Sequence, residues 1–128
     1  MLEKLKIIGL SLLAVFAPIK AIMLTAFVLV IADLITGLLA ARKRKEPITS
    51  AAFSRTLLKT VVYQTAIMMG FLTETYLTGD MLPVCKIITS YIGMTELLSL
   101  VENLNTISGG SLMKSLIKKL GSQNADTK

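Results

Sequence analysis

Histidine and tryptophan are absent from this chain of 128 residues, and cysteine occurs once, at Cys85. Without histidine there is no Ser-His-Asp triad and no imidazole metal ligand, and a single cysteine allows no internal disulfide. Cys85 reads as an apolar filler rather than a nucleophile. There is no glycine-rich phosphate loop or other nucleotide motif. A paired-carboxylate glycosidase needs a cleft that admits a sugar, and nothing outside the apolar stretches builds one. No enzyme, cofactor or resident metal is expected.

Acidic residues are few as well: 14 Lys+Arg stand against 8 Asp+Glu, a formal net charge of +6. On a soluble protein that balance would suggest nucleic acid. Here the cations gather in a short connection and a tail, between long apolar runs. Anionic lipid head groups and membrane topology explain them better, and nucleic acid is not expected as a partner. The hydrophobic fraction, 53%, is only slightly above the ~45–50% of ordinary domains. Its arrangement decides the class.

Ala21 to Ala41, AIMLTAFVLVIADLITGLLAA, carries Asp33 as its only charge. About 21 helical residues rise roughly 31 Å, the thickness of a bilayer's hydrocarbon core. Arg42, Lys43, Arg44 and Lys45 follow at once and place that end in the cytoplasm by the positive-inside rule. Pro47 then marks a turn, and Thr49 or Ser50 is suited to cap the next helix. A second span is expected over 56–77 and a third over 81–104, with Gly79-Asp80 as the external turn and Pro83 in the third span's first turn.

Before these, a charged start and a short apolar run from Ile7 to Ala17 superficially resemble a signal peptide, but lack a clean small-residue cleavage site. The run, roughly 11 residues, is short for a crossing. It is read as an interfacial helix, with a fourth span as the alternative, and Pro18 separates it from the first span. The expected fold is therefore all-α: one helical membrane domain over 1–110, with three transmembrane helices preceded by an interfacial N-terminal helix. A basic amphipathic tail over 111–128 follows, its helical part on the cytoplasmic membrane surface and its end, from Gly121, disordered.

Charges inside the spans sort by depth. Counted from the cytoplasmic ends, Asp33 and Glu96 each lie roughly 12 Å deep. Lys59 matches Glu102 near that surface, and Lys86 matches Glu74 near the other. A carboxylate at a helix centre costs ~2.5–3.5 kcal/mol on insertion scales, so it normally has a partner or a use. Asp33 and Glu96 share a proton, line a water-filled lumen in an assembly, or bond a neighbouring Thr or Ser; the sequence leaves these open. Asp33, Gly37 and Ala41 form a small-residue row that suits close helix packing, within one chain or between copies.

The run Asp33-Leu34-Ile35-Thr36-Gly37 through Ala41, the basic turn after it, and Glu96-Leu97-Leu98-Ser99 through Glu102-Asn103-Leu104 together resemble the toxin-secretion/phage-lysis holin family. Two separated motifs in the right order carry the resemblance, over roughly residues 18–110. It implies a multi-pass protein of the bacterial cytoplasmic membrane that oligomerises and opens lesions, releasing a phage endolysin or, in relatives, a toxin. Expected partners are the lipid bilayer, further copies of the chain and an endolysin. No catalytic residue comes with the family. By motif, Asp33, Thr36, Gly37, Glu96, Ser99, Glu102 and Asn103 are carried over as helix–helix or lumen contacts, beside Lys59, Glu74 and Lys86 from the depth ladder. Two other functions fit the same sequence: a structural membrane adaptor, and a narrow proton or ion channel around Asp33 and Glu96.

Overall fold

Three long helices, each about the thickness of a bilayer core, dominate the computed structural model, which describes residues 1–123. Helix α1 spans Leu2–Val15, and a 3-10 turn over Ala17–Ile19 leads into α2, Lys20–Lys43. Helix α3, Ser50–Leu72, widens into a π-helical turn over Thr73–Leu77; α4 spans Val84–Ile107 and α5 spans Ser111–Gln123. No strand occurs among the described residues.

Two stretches, Ala17–Lys43 and Val84–Ile107, are long and apolar enough to cross a membrane. Helix α3 is of similar length but carries Arg55, Lys59, Tyr63 and Gln64, which dilute its apolar character. Helix α1, at 14 residues, rises about 21 Å, short of a crossing. None of its residues is buried, and its main contact is with the 3-10 turn that contains Pro18.

The observed boundaries differ from the sequence expectation at several ends; α4, for one, runs to Ile107 rather than Leu104. Helix α3 starts at Ser50, six residues before Thr56, because Ala51-Ala52-Phe53 continue the helical pattern back to the Pro47 turn. Thr49 holds the N-cap position with extended backbone, but neither it nor Ser50 makes a capping hydrogen bond through its side chain. Helix α4 starts at Val84, so Pro83 caps it rather than lying in its first turn. Helix α5 runs through Gln123, past the Gly121 where disorder was expected; the rest of that expectation, on residues 124–128, lies outside the described residues.

Glycine and its substitutes shape the turns. Helix α4 ends in a Schellman motif: Gly109 and Gly110 have φ of 71° and 82°, and the Gly110 N–H donates to the Asn105 carbonyl at 2.8 Å. Helix α2 ends in the same motif, with the Glu46 N–H on the Ala41 carbonyl at 3.0 Å. There Lys45 occupies the left-handed position, φ 58°, that glycine would adopt without strain.

Helices α2 and α4 run parallel and share the most extensive contact in the chain; α3 packs antiparallel against both. At one end the Lys43 ammonium donates to the Ile107 carbonyl, so the basic turn and the start of α5 lie together. Towards the other end Ile19, Ala26, Ile67, Cys85 and Ile92 form a buried apolar core, with Phe16 and Phe71 against it. Gly70 permits the close α3–α4 approach there: a Cβ at this position would stand 2.8 Å from Ile88 Cδ1 and 3.3 Å from Cys85 Cα. Outside, the bundle is apolar; Leu24, Val28, Leu57, Val61, Leu97 and Leu98 are all at least half exposed. Polar groups are turned in and apolar ones out, the inverse of a water-soluble bundle.

Candidate functional site

Each helix of the bundle contributes two polar side chains to one partly buried cluster in the bundle interior. Asp33 and Thr36 are three residues apart on α2, Lys59 and Tyr63 four apart on α3, Glu96 and Asn103 seven apart on α4. These spacings keep each pair on a single helical face. Packing then brings the three faces together.

Lys59 sits at the centre. Its ammonium donates to Asp33 Oδ2 at 2.9 Å and to Glu96 Oε2 at 2.8 Å. The Tyr63 hydroxyl donates to the other Glu96 oxygen at 2.8 Å. Asn103 Nδ2 donates to Asp33 Oδ1 at 3.0 Å and to Thr36 Oγ1 at 3.2 Å. Glu96 has no exposed surface, whereas the Lys59 side chain keeps 31% of its own. Each of the four carboxylate oxygens thus has a donor, as removal from water demands. Two carboxylates face one ammonium, so the fully ionised cluster carries one negative charge in excess.

Water has a route to part of it. A cleft of about 400 Å³ opens beside Arg44, Glu46, Pro47 and Thr49 and reaches Asp33, Lys59 and Asn103. At its mouth the Arg44 guanidinium holds Glu46 with both ends, Nε to Oε1 at 2.8 Å and a terminal nitrogen to Oε2 at 2.9 Å. This hydrogen-bonded pairing raises the Arg44 pKa and lowers that of Glu46 from their ordinary values.

The depth ladder is corrected by these contacts. Lys59 pairs with Asp33 and Glu96, not with Glu102, which is exposed and without a side-chain partner among the described residues. Glu102 lies six residues beyond Glu96, about 120° off the Glu96–Asn103 face. Glu74 does not pair with Lys86: Glu74 Oε2 accepts the Cys85 N–H at 2.7 Å. That amide is among the orphan donors of the first turn of α4, where a carboxylate also complements the helix dipole. Lys86 is exposed. Nor do Asp33 and Glu96 bond each other; the ammonium stands between them.

Gly37 faces Asn103 across the α2–α4 contact, with 3.5 Å between a built Cβ and Asn103 Nδ2, and Ala40 beside it is wholly buried. Ser99 is half-buried and makes no side-chain hydrogen bond among those described. Arg42, Lys43, Arg44 and Lys45 lie together at the end of α2.

Two contributors escaped the sequence reading. Tyr63 was not assigned to the site; its position one turn after Lys59 was the available signal. Gln64, which joins α3 to α2 by donating to the Met23 carbonyl at 2.9 Å, had no signal beyond being an amide in an apolar helix. Its own carbonyl oxygen is buried without a partner. No group of three or more His, Cys, Asp or Glu suited to a metal occurs among the described residues.

Compared with known proteins, residues 11–123 match the model of a family described as the bacteriophage holin family. No curated protein and no solved structure matches the chain.

Proposed function

The chain belongs to the bacteriophage holin family, and from that premise we propose that it accumulates in the bacterial cytoplasmic membrane, oligomerises, and opens lesions through which an endolysin reaches the cell wall. The family match over residues 11–123, joined to two helices that can each cross a bilayer, carries this reading. The role is physical rather than enzymatic.

In this reading α2, α3 and α4 make three crossings, with α1 at the outer interface. The basic turn Arg42–Lys45 and α5 both lie in the cytoplasm, consistent with the Lys43–Ile107 contact that holds their ends together. Helix α3 crosses despite its polar residues because Lys59, Tyr63 and Gln64 spend their hydrogen bonds on α2 and α4.

The same economy makes a single copy a closed unit. Asp33, Lys59, Tyr63, Glu96 and Asn103 satisfy one another inside the bundle and leave an apolar exterior for lipid. A water-lined lesion needs polar surface, and this cluster is the largest store of it within the spans. Opening therefore exchanges intramolecular contacts for water or for the same groups on neighbouring copies. Small residues such as Gly37 and Ala41 permit the close helix packing that either arrangement demands.

Inducible expression in a bacterium, with and without a co-expressed endolysin, tests the proposal when membrane potential and turbidity are followed together. Delayed, abrupt loss of potential in both strains, with lysis only where the endolysin is present, is the expected result. Unaffected growth after verified membrane insertion would refute it.

A further inference from the structure

Helix α5 has two unlike faces, and among the described residues the apolar one is left uncovered. Leu112, Met113, Leu116 and Ile117 fall within one sector and keep between 38% and 64% of their surface exposed. Lys114 and Lys118 lie on the opposite side, and Lys119 sits at the edge of the apolar sector. Long lysine stems at such positions can run along apolar surface while their ammonium groups remain in water.

The point of departure of α5 is fixed by hydrogen bonds. The Gly109-Gly110 turn closes α4, the Ser111 hydroxyl donates to the Ser108 carbonyl at 3.1 Å, and Asn105 Oδ1 accepts the Met113 N–H at 3.2 Å. The helix thus begins where a membrane-crossing helix ends, beside the cluster Arg42–Lys45, to which the Lys43–Ile107 contact ties it. An apolar sector bordered by cations at that level meets a boundary that offers acyl chains on one side and phosphate on the other.

We propose that α5 lies on the anionic phospholipid surface at this end of the bundle, with Leu112, Met113, Leu116 and Ile117 immersed and Lys114 and Lys118 at the phosphates. Charge complementarity and continuity with α4 select the lipid as occupant. An acidic soluble partner would answer the lysines but not the apolar sector at the place where lipid already adjoins it. The inference rests on the membrane reading of α2 and α4, and its test separates the two.

The full chain carrying Cys85→Ser and Ile117→Cys, labelled with an environment-sensitive fluorophore, is reconstituted in phosphatidylglycerol or in phosphatidylcholine vesicles. In the anionic vesicles the emission should shift to the blue and be quenched by a lipid-borne quencher. Quenching should fall several-fold in phosphatidylcholine, and likewise when Lys114 and Lys118 are replaced by Gln. A second label at Val28→Cys on α2 reports the bundle itself. If that label is lipid-immersed while the α5 label stays in water in both vesicle types, the α5 inference is overturned alone. If neither label is immersed, the membrane reading goes with it. Burial of the α5 label that follows protein density rather than lipid charge would identify a second copy as the occupant and also overturn the inference.

Discussion

Lys59 is held 2.8 Å from the fully buried Glu96 across the α3–α4 contact, and the same ammonium reaches Asp33 on α2 at 2.9 Å. One cation therefore ties three helices, and it is outnumbered two to one by the acids it serves. Removing the cation and removing an acid should not be equivalent. Lys59→Met leaves two carboxylates uncompensated and should destabilise the bundle by about 3–5 kcal/mol, the usual cost of breaking a buried ion pair from one side. Asp33→Asn leaves a balanced Lys59–Glu96 pair and should cost markedly less. Tyr63→Phe removes one interhelical hydrogen bond, with an expected loss of about 0.6–1.7 kcal/mol. Unfolding of each purified variant in detergent checks the order, which equal losses for Lys59→Met and Asp33→Asn would break.

At Gly70 helices α3 and α4 approach closely, and backbone as well as side chain stands against any added carbon. Gly70→Val should force the helices apart and lose about 1–3 kcal/mol by overpacking. The same change at Gly93, where nothing lies within 4 Å of a built Cβ, should cost less, and helix propensity alone would even favour it. Thermal unfolding of the two variants side by side gives the comparison.

Lys45 bears a left-handed backbone that an L side chain adopts at a cost of about 1–2 kcal/mol. Lys45→Gly should therefore stabilise the folded chain by about 1 kcal/mol in detergent unfolding. It keeps three of the four consecutive cations, so its orientation in the membrane should be unchanged.

The Arg44–Glu46 pair stands exposed at the mouth of the cleft. Because the folded Glu46 carboxyl titrates below its ordinary value of 4.5, the contact is fully present above that value. It is lost as pH falls through the lowered one. A fluorophore at Thr49, labelled through Thr49→Cys in the Cys85→Ser chain, should report a loosened loop only in that acidic window. Glu46→Gln should show the loosened signal at neutral pH.

Much of this architecture is written in the order of residues. Long apolar runs, the four cations after Ala41 and the Pro and Gly turns are enough to give helices of bilayer length and to put the basic ends together. Depth along the spans also placed Asp33 and Glu96 at one level. Depth is one coordinate, however, and pairing needs a second, the rotation of each helix about its axis. Glu102 lies off the Glu96–Asn103 face by about 120°, and depth matching alone cannot see that. Glu74 illustrates another limit: its partner is a backbone amide at the start of α4, and main-chain donors leave no mark in side-chain patterns. The start of α3 at Ser50 was hidden by polar residues that form helix as readily as loop once Ala51 and Ala52 join them.

The claim on which the functional account turns is that the inward face of the bundle becomes wet when lesions open. Ser99, half-buried on the Glu96–Asn103 face and free of side-chain hydrogen bonds among those described, allows a near-isosteric probe. In cells expressing the chain with Cys85→Ser and Ser99→Cys, reaction with a membrane-permeant but water-requiring thiol reagent should be slow until membrane potential collapses. It should then rise at least tenfold. Reaction equally fast before and after the collapse, or slow throughout it, would contradict the account.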